Sequence, residues 1–153
     1  MAEISPVGGS SGLLRKDPVV ASVEKVIVVL VSSGLYIDFL QLIVRQNDLL
    51  QALAQHGGDG GHLTPFVLAD DEYLTGITGW YGWYIYSMTL HTNIRTSQKF
   101  GGSGGEREYS IQAGAGEQIV GLWCRSEQYI DAIGAITAPA PHSHTTPEFR
   151  IQA

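Results

Sequence analysis

The loop from Gly34 to Asp38 (GLYID) combines a glycine, consecutive backbone N–H groups and one carboxylate within five residues. The same pattern recurs from Gly82 to Tyr86 (GWYIY) and from Glu127 to Asp131 (EQYID). A carboxylate beside backbone donors suits a pair of neighbouring hydroxyl groups, each of which donates and accepts hydrogen bonds, as on a sugar ring. Because Tyr and Ile occur in all three copies and the last residue varies, we interpret the shared positions as structural and the varying position as functional.

A second element, a cluster of glycines, recurs in step with this loop. The clusters are residues 8–12 (GGSSG), 57–61 (GGDGG) and 101–105 (GGSGG). Glycine lets a ligand approach the main chain without a Cβ in the way, whereas a single such run is more often a flexible linker. The loops at 34–38 and 82–86 are each followed by a cluster. The last loop has none after it, so we expect cluster 8–12 to be its partner and to close a ring of three sites.

The two elements alternate at a period of about 45 to 49 residues, which indicates three copies of one supersecondary unit. The copies are residues 23–44, 71–92 and 116–137. Segments rich in β-branched residues flank the loops, which is typical of strands, and no segment keeps a helical period for long. The sequence therefore predicts an all-β fold with threefold internal pseudo-symmetry.

The strand–loop–strand pattern predicts strands at residues 23–31, 39–45, 64–68, 72–79, 83–93, 108–111, 118–124 and 129–137, with a further short strand within 13–18. Residues 47–55 are left open between a single helical turn and a strand. Their apolar residues have helical spacing after Asn47 as a cap, but the segment is short and lies in an all-β context.

Composition limits the class of protein. The 153 residues carry a formal net charge of −6 and no basic cluster beyond Arg15 and Lys16, which argues against a nucleic-acid partner. No apolar run is long enough to insert in a membrane. Cys124 is the only cysteine and no signal peptide is visible, so we expect a cytoplasmic protein, with non-classical export left open.

The repeats end at Thr137, so we predict one domain over residues 1–137 and a Pro/His/Thr-rich tail over 138–153. His142 and His144 have the spacing of metal ligands, but the tail offers no obvious third ligand. We therefore expect no metal and no cofactor.

Taken together, these motifs resemble the jacalin-related lectins of the mannose/glucose type. The resemblance spans residues 8–137, and besides the loops and clusters it rests on Glu72-Tyr73, Gly76, Gly79, Thr92-Asn93, Phe100-Gly101 and residues 129–134. It implies a β-prism of three four-stranded Greek-key sheets. It also implies that sugar is held by the loop Asp, the N–H groups of the two residues after the loop Gly, and the last Gly of the partner cluster.

Transferred by position, the resemblance implies three unequal sites. The first has every expected residue: Gly34, Leu35, Tyr36, Asp38 and Gly61. The second has Gly12, Gln128, Tyr129 and Asp131, but Glu127 replaces the loop Gly and Ser11 replaces a cluster glycine. If the loop Gly has positive φ, Glu127 costs ~1 kcal/mol of strain, so we expect this site to be weakened. The third, degenerate site has Gly82, Trp83, Tyr84 and Gly105, but Tyr86 replaces the Asp, so we expect it to be lost or changed.

The resemblance implies a non-catalytic lectin with no catalytic residues, whose partners are glycans or glycoproteins containing mannose or glucose. Galactose is disfavoured because the galactose branch uses a free N-terminal Gly, whereas cluster 8–12 follows seven residues of continuous chain. Weak single sites would act together in a homodimer or higher oligomer.

Two alternative functions stay open. One is a glycan-modifying enzyme, for which Glu127 and Asp131 are the one candidate carboxylate pair. The other is a structural or protein-binding prism without sugar binding.

Overall fold

The structure is a computed structural model, and it describes residues 1–141. Thirteen β-strands and no helices make up this part of the chain. The strands are β1 (Ala2–Gly8), β2 (Leu13–Lys16), β3 (Val23–Ser33), β4 (Ile37–Gln46), β5 (Leu49–Ala52), β6 (His56–Gly57), β7 (His62–Val67), β8 (Leu74–Tyr81), β9 (Ile85–Thr92), β10 (Thr96–Gly101), β11 (Arg107–Gln112), β12 (Glu117–Ser126) and β13 (Ile130–Pro139). No helix in residues 1–141 is long and apolar enough to cross a membrane.

The strands form three antiparallel sheets that share one plan. Sheet I has the order β1-β13-β12-β2, sheet II the order β5-β4-β3-β7, and sheet III the order β10-β9-β8-β11. A long hairpin lies in the middle of each sheet, and two outer strands joined by a glycine cluster flank it. In sheet I the outer strands come from the beginning of the chain, so the first residues complete the last repeat. This is the predicted all-β prism with threefold pseudo-symmetry.

The inner faces of the three sheets enclose one hydrophobic core. Val26 and Leu42 of sheet II, Met88 of sheet III, and Leu122 and Ile133 of sheet I are at most 1% exposed. Burying each such side chain contributes about 1.5–3 kcal/mol, so the core holds the hairpins in fixed relation to one another. The loops at the ends of the hairpins are therefore held in fixed positions as well.

The structure resolves the alternatives left open for residues 47–55. Residues 47–55 contain no helical turn: Asn47 and Asp48 have φ of 53° and 62° and form the turn from β4 into β5. The free edge of β4 offers backbone hydrogen bonds, and this pairing outweighs the helical spacing of a short segment. The split of this outer strand into β5 and β6 also gives sheet II a fifth strand.

Strands β1 and β10 were not predicted at all. Both are edge strands, which pair with β13 and β9. β10 is mostly polar apart from the buried Phe100, whereas β1 alternates apolar and polar residues from Ala2 to Pro6, and its Ile4 and Val7 pack on the core.

The predicted domain end at Thr137 lies inside β13, which continues to Pro139. Ala138 is buried, and the Ala140 N–H donates to the carbonyl oxygen of Gly116 over 2.8 Å. The pairing of β12 with β13 extends to Glu117 opposite Pro139, which explains the extra length. Residues 142–153, including His142 and His144, lie outside the described residues, so the prediction that they bind no metal is untested.

Candidate functional site

Each repeated loop lies against the glycine cluster expected to partner it. The Gly58 N–H donates to the carbonyl oxygen of Asp38 over 2.9 Å. The equivalent bonds are Gly9 N–H to Asp131 over 2.8 Å and Gly102 N–H to Tyr86 over 2.9 Å. The three pairs therefore have the same geometry at one end of the prism, including the pair that closes the ring.

Each loop is a tight hairpin turn that leaves backbone donors free. Gly34 N–H donates to the carbonyl oxygen of Tyr36 over 3.0 Å, and Glu127 N–H donates to that of Tyr129 over 3.2 Å. The next two residues, Leu35 and Tyr36 in the first loop, donate their N–H groups to no acceptor within residues 1–141. Strong donors without a partner are available to a ligand.

The three loops meet through their tyrosines. Tyr36, Tyr84 and Tyr129 form a triangle of rings, with centroids 5.0 Å apart for Tyr36–Tyr84, 5.0 Å for Tyr36–Tyr129 and 4.9 Å for Tyr84–Tyr129. We call these residues the tyrosine triad. Aromatic pairs at this separation attract one another, so the triad holds the loops together. The recurrence of Tyr marked these residues as structural, but the sequence could not show that they touch.

Asp38 and Asp131 are buried carboxylates that receive no hydrogen bond from the described chain. The residues are 6% and 4% exposed, and no donor of residues 1–141 bonds to either side chain, although the carboxylate oxygens still reach solvent. Gly61, at φ +80°, lies so close that a Cβ would be 2.7 Å from Asp38 Oδ1. Gly12, at φ +85°, relates to Asp131 Oδ1 in the same way at 2.6 Å. Glycine at the end of each cluster therefore leaves room for the carboxylate.

Two other buried carboxylates show what a structural acid looks like in this fold. Asp17 accepts hydrogen bonds from the Leu122 N–H over 2.8 Å and the Ala54 N–H over 3.2 Å, and it lies 2.9 Å from His56 Nε2. His56 is buried against Asp17, and the two side chains join sheets I and II.

Glu72 is the second structural acid. It accepts hydrogen bonds from the Ala69 N–H, Thr92 Oγ1 and Arg95 Nε. Burial alone would raise its pKa, but these hydrogen bonds and the charge of Arg95 bring the pKa below the ordinary value. Structural acids are thus fully paired, whereas Asp38 and Asp131 are not.

The electrostatics of the two unpaired carboxylates follow from this difference. Burial raises the pKa of Asp38 above its ordinary value. Burial, with the charge of Glu127 as a second cause, raises the pKa of Asp131 to about 6. Each carboxylate would gain from hydroxyl donors that replace the lost water.

Glu127 does not strain the backbone, contrary to the conditional expectation from sequence. Within residues 1–141 the non-glycine residues with positive φ are Asn47 and Asp48, so Glu127 has an ordinary conformation. The equivalent Gly34 has no atom within 4 Å of where a Cβ would be. The loop therefore accepts a side chain at this position, and Glu127 affects the site through its charge.

In the third loop the ring of Tyr86 occupies the space between loop and cluster. A Cβ on Gly104 would lie 2.9 Å from Tyr86 Cδ2, and one on Gly82 would lie 3.5 Å from the Tyr86 hydroxyl oxygen. The same ring lies 5.0 Å from that of Tyr36. Tyr86 thus removes the carboxylate and also fills the position where a ligand would lie.

An open cleft of about 430 Å³ marks the Asp131 site. Its lining includes Asp131, Gln128 and Ser11 of sheet I, and also Trp83 and Tyr84 from the loop of sheet III. A larger cleft of about 1010 Å³ lies at the opposite end of the hairpins, where its lining combines charged and apolar groups of Lys25, Arg45, Asp70, Tyr73 and Pro139. It contains none of the repeated loops.

Comparison with known proteins identifies the fold and the family. Residues 4–136 match the family described as Jacalin-like lectin domain. Jacalin-related lectin 3 of Arabidopsis thaliana is 30% identical over 149 residues, which cover 92% of this chain and 24% of that protein. The chain spans no more than about a quarter of the length of the first curated relatives it matches.

Solved structures agree with this assignment. Malaysian banana lectin superposes with a TM-score of 0.79 at 27% identity, over 90% of this chain and 98% of that chain. AcmJRL, a mannose-binding jacalin-related lectin from Ananas comosus, superposes with a TM-score of 0.78 at 26% identity, over 90% of this chain and 97% of that chain. Both similarities extend over nearly the whole described prism.

Proposed function

Since the chain belongs to the family of jacalin-like lectin domains, we propose that it is a non-catalytic lectin for mannose- and glucose-type sugars. The observation that carries this proposal is the pair of buried carboxylates, Asp38 and Asp131, that have no protein donor and lie beside free backbone N–H groups. A partly desolvated carboxylate without a protein donor depends on water or on a ligand for its hydrogen bonds, whereas the structural acids Asp17 and Glu72 have protein donors. Hydroxyl groups of a ligand would supply the missing donors.

At the first site, Asp38 accepts hydrogen bonds from two neighbouring sugar hydroxyls, and the N–H groups of Leu35 and Tyr36 donate to the oxygen atoms of these hydroxyls. Gly61 lines the site without a side chain that would displace the carboxylate. A hydroxyl group both donates and accepts, so it matches a site that offers one acceptor group and adjacent donors.

At the second site, Asp131 accepts, Gln128 and Tyr129 donate through their N–H groups, and Gly12 lines the site. The third loop binds no sugar in this proposal because the Tyr86 ring fills it.

Mannose- or glucose-type sugars are the preferred ligands for two reasons. A structural relative, AcmJRL, is a mannose-binding lectin. In this chain, cluster 8–12 continues directly from β1, so the cluster carries no free α-amino group beside the ligand.

Calorimetric titration with methyl α-mannoside, methyl α-glucoside and methyl α-galactoside tests the proposal. We expect saturable heat from the first two sugars at millimolar concentration, weaker heat from the galactoside, and none from any sugar with the double variant D38A/D131A. Wild-type protein that binds none of the three sugars would refute the proposal.

The absence of catalysis is part of the proposal. A glycosidase places two carboxylates about 5–10 Å apart across the scissile bond. At the first site, Asp38 is buried, and the second carboxylate of the partner cluster, Asp59, is exposed. At the second site, Glu127 lies at the rim, exposed, next to Asp131. We expect no release of nitrophenol from p-nitrophenyl α-mannoside over hours of incubation. Turnover that is lost in E127Q would favour the glycan-modifying alternative.

Useful affinity is proposed to come from several sites that engage one glycan surface, within one domain and within a homodimer or higher oligomer. Binding to a surface coated with high-mannose glycoprotein should then be much tighter than binding to methyl α-mannoside. Light scattering gives the oligomeric state, and equal affinity for surface and free sugar would contradict multivalent binding.

A further inference from the structure

We propose that Trp83 forms a second subsite beside Asp131, where its indole packs against the apolar face of a further sugar residue. The inference rests on the proposed function and adds a ligand class to one site: an α-linked oligosaccharide rather than a single sugar. It also assigns a role in recognition to the loop of sheet III, whose own site is filled by Tyr86.

Trp83 is an aromatic wall of the Asp131 cleft. It lines the cleft together with Asp131 and Gln128, although it belongs to a different sheet. Its side chain is 73% exposed, which leaves most of the indole free of protein contacts. The cleft of about 430 Å³ lies within the size range of small-ligand sites, about 300–1,000 Å³.

The position of Trp83 is fixed at both ends of its loop. On one side, a Cβ on Gly9 would overlap the carbonyl oxygen of Trp83, so the glycine cluster of the Asp131 site packs directly on this loop. On the other side, the ring of Tyr84 lies 4.9 Å from that of Tyr129. The Gly82 N–H also closes the turn on the Tyr84 carbonyl oxygen over 3.0 Å. These contacts fix the backbone of Trp83 beside the cleft, so a ligand has to order the exposed indole alone.

The Asp38 site has no equivalent aromatic wall. By the pseudo-symmetry, each cluster packs on the loop of a neighbouring sheet: Gly9 on Trp83, Gly58 on Gln128 and Gly102 on Leu35. The residue that takes the place of Trp83 beside the Asp38 site is therefore Gln128, with a polar amide. The two sites should differ in what they accept beyond the first sugar.

The chemistry of a pyranose ring suits this arrangement. One face of the ring presents C–H groups, and burying it on an indole removes apolar surface from water on both sides. Aromatic packing contributes about 0.5–1.5 kcal/mol, which corresponds to an affinity gain of about three- to tenfold. Backbone donors and Asp131 would hold the first sugar while Trp83 packs on the second.

The test uses the D38A variant, in which Asp131 provides the remaining site. Calorimetry compares methyl α-mannoside with a panel of α-linked mannobiosides that covers the different linkages. We expect at least one mannobioside to bind about three- to tenfold more tightly than the monosaccharide. The ratio of mannobioside affinity to methyl α-mannoside affinity should fall towards one in D38A/W83A and stay high in D38A/W83F. Trp80, which is 40% exposed and does not line the cleft, provides the control: D38A/W80A should keep the ratio.

The D131A variant completes the test, because its remaining site faces Gln128. Replacing Trp83 by Ala in D131A should leave the ratio of disaccharide to monosaccharide affinity unchanged. A ratio near one in D38A, or a ratio that survives in D38A/W83A, overturns the Trp83 subsite while the proposed function stands. Failure of methyl α-mannoside to bind to wild-type protein overturns both.

Discussion

Asp131 carries two unfavourable influences at once: it is buried, and Glu127 adds a negative charge to the same cleft. Asp38 is also buried, and burial is the cause of its raised pKa. The two carboxylates occupy equivalent positions in the repeat, and the charge of Glu127 is one of the differences between their surroundings. Their contrast with the paired acids Asp17 and Glu72 is what distinguishes a ligand site from a structural ion pair in this fold.

Sugar affinity at the Asp131 site should depend on pH. The ionised carboxylate accepts two hydroxyl donors, so protonation competes with binding, and the pKa of Asp131 is about 6. We expect constant affinity well above pH 6 and, below it, a loss that approaches tenfold per pH unit. Removing the Glu127 charge in E127Q should move this loss to lower pH. Calorimetry of D38A and D38A/E127Q between pH 4.5 and about 8 measures both curves, and coincident curves would show that Glu127 does not act on the site.

Replacing Asp131 by Asn should remove sugar binding at that site and stabilise the fold. The pKa of Asp131 is about 6 when folded, above the ~3.9 of an unfolded chain, so its ionised form opposes folding at neutral pH. We expect D131N to raise the free energy of unfolding by about 1 kcal/mol or less at pH 7.5, because solvent at the carboxylate oxygens screens part of the penalty. The gain should vanish below ~pH 4, where wild-type Asp131 is protonated in both states.

The matched control for this substitution is Asp17→Asn. Asp17 accepts from two backbone N–H groups and contacts His56, so D17N replaces an acceptor by a donor and should destabilise the fold by about 1–3 kcal/mol. Urea unfolding measures both variants. Equal destabilisation by D131N and D17N would mean that Asp131 is a structural acid after all.

Replacement by Ala should destabilise the protein at one glycine of the first site and leave its stability nearly unchanged at another. At Gly61, φ is +80° and a Cβ would lie 2.7 Å from Asp38 Oδ1, so G61A should cost about 1–3 kcal/mol and abolish binding at Asp38. Gly34 lacks positive φ and has open space around it, so G34A should leave stability within about 0.5 kcal/mol. Thermal unfolding and titration in the D131A background measure the pair. A tolerated G61A would contradict the account of the cluster.

At the scale of elements, the tyrosine triad connects three hairpins that are far apart in sequence. Tyr84 belongs to the loop that binds no sugar, yet its ring lies 5.0 Å from that of Tyr36 and 4.9 Å from that of Tyr129. The backbone donors of both proposed sites are on the residues Tyr84 touches or on their neighbours. Tyr84 is therefore a positioning residue for both sites.

Truncating Tyr84 should weaken both sites. We expect Y84A to lower the affinity for methyl α-mannoside about three- to tenfold in D38A and in D131A alike, because two aromatic contacts are lost. Y84F keeps the ring and should restore the affinity. Titrations of these variants distinguish positioning from a general loss of fold, provided that near-UV circular dichroism stays native-like. Unchanged affinity in both backgrounds would separate the triad from sugar binding.

The repeats made the hairpins predictable, because each combines β-branched strands with a glycine-containing loop. Edge strand β10 escaped prediction because it is mostly polar (TSQKFG), whereas β1 alternates apolar and polar residues (AEISP) and could have been predicted from that pattern. The backbone angle φ of a loop residue could not be predicted from the sequence either. Gly12 and Gly61 have positive φ, whereas the loop position of Glu127 does not and accepts a side chain without strain. The sequence alone does not show which glycines have positive φ. The place of Trp83 beside Asp131 depends on how two sheets meet, which spacing along the chain does not record.

At the scale of the molecule, the prism carries three equivalent loops with two different outcomes. Two keep a buried, unpaired carboxylate, and the third is filled by the Tyr86 ring. All three loops keep the same cluster hydrogen bond and the same tyrosine contact, because the core and the triad need them. The features that the three loops share thus stabilise the fold, and the residues in which the loops differ determine how many sites there are and what each site binds.

The most direct test of this account is the number of sugar molecules bound by wild-type protein and by three variants, measured by calorimetry with methyl α-mannoside at pH 7.5. We predict two sites in wild-type protein, one in D38A, one in D131A and none in D38A/D131A, with Y86A as a control that keeps two. Sugar binding by D38A/D131A at wild-type affinity would contradict the central claim that the two unpaired carboxylates are the sites.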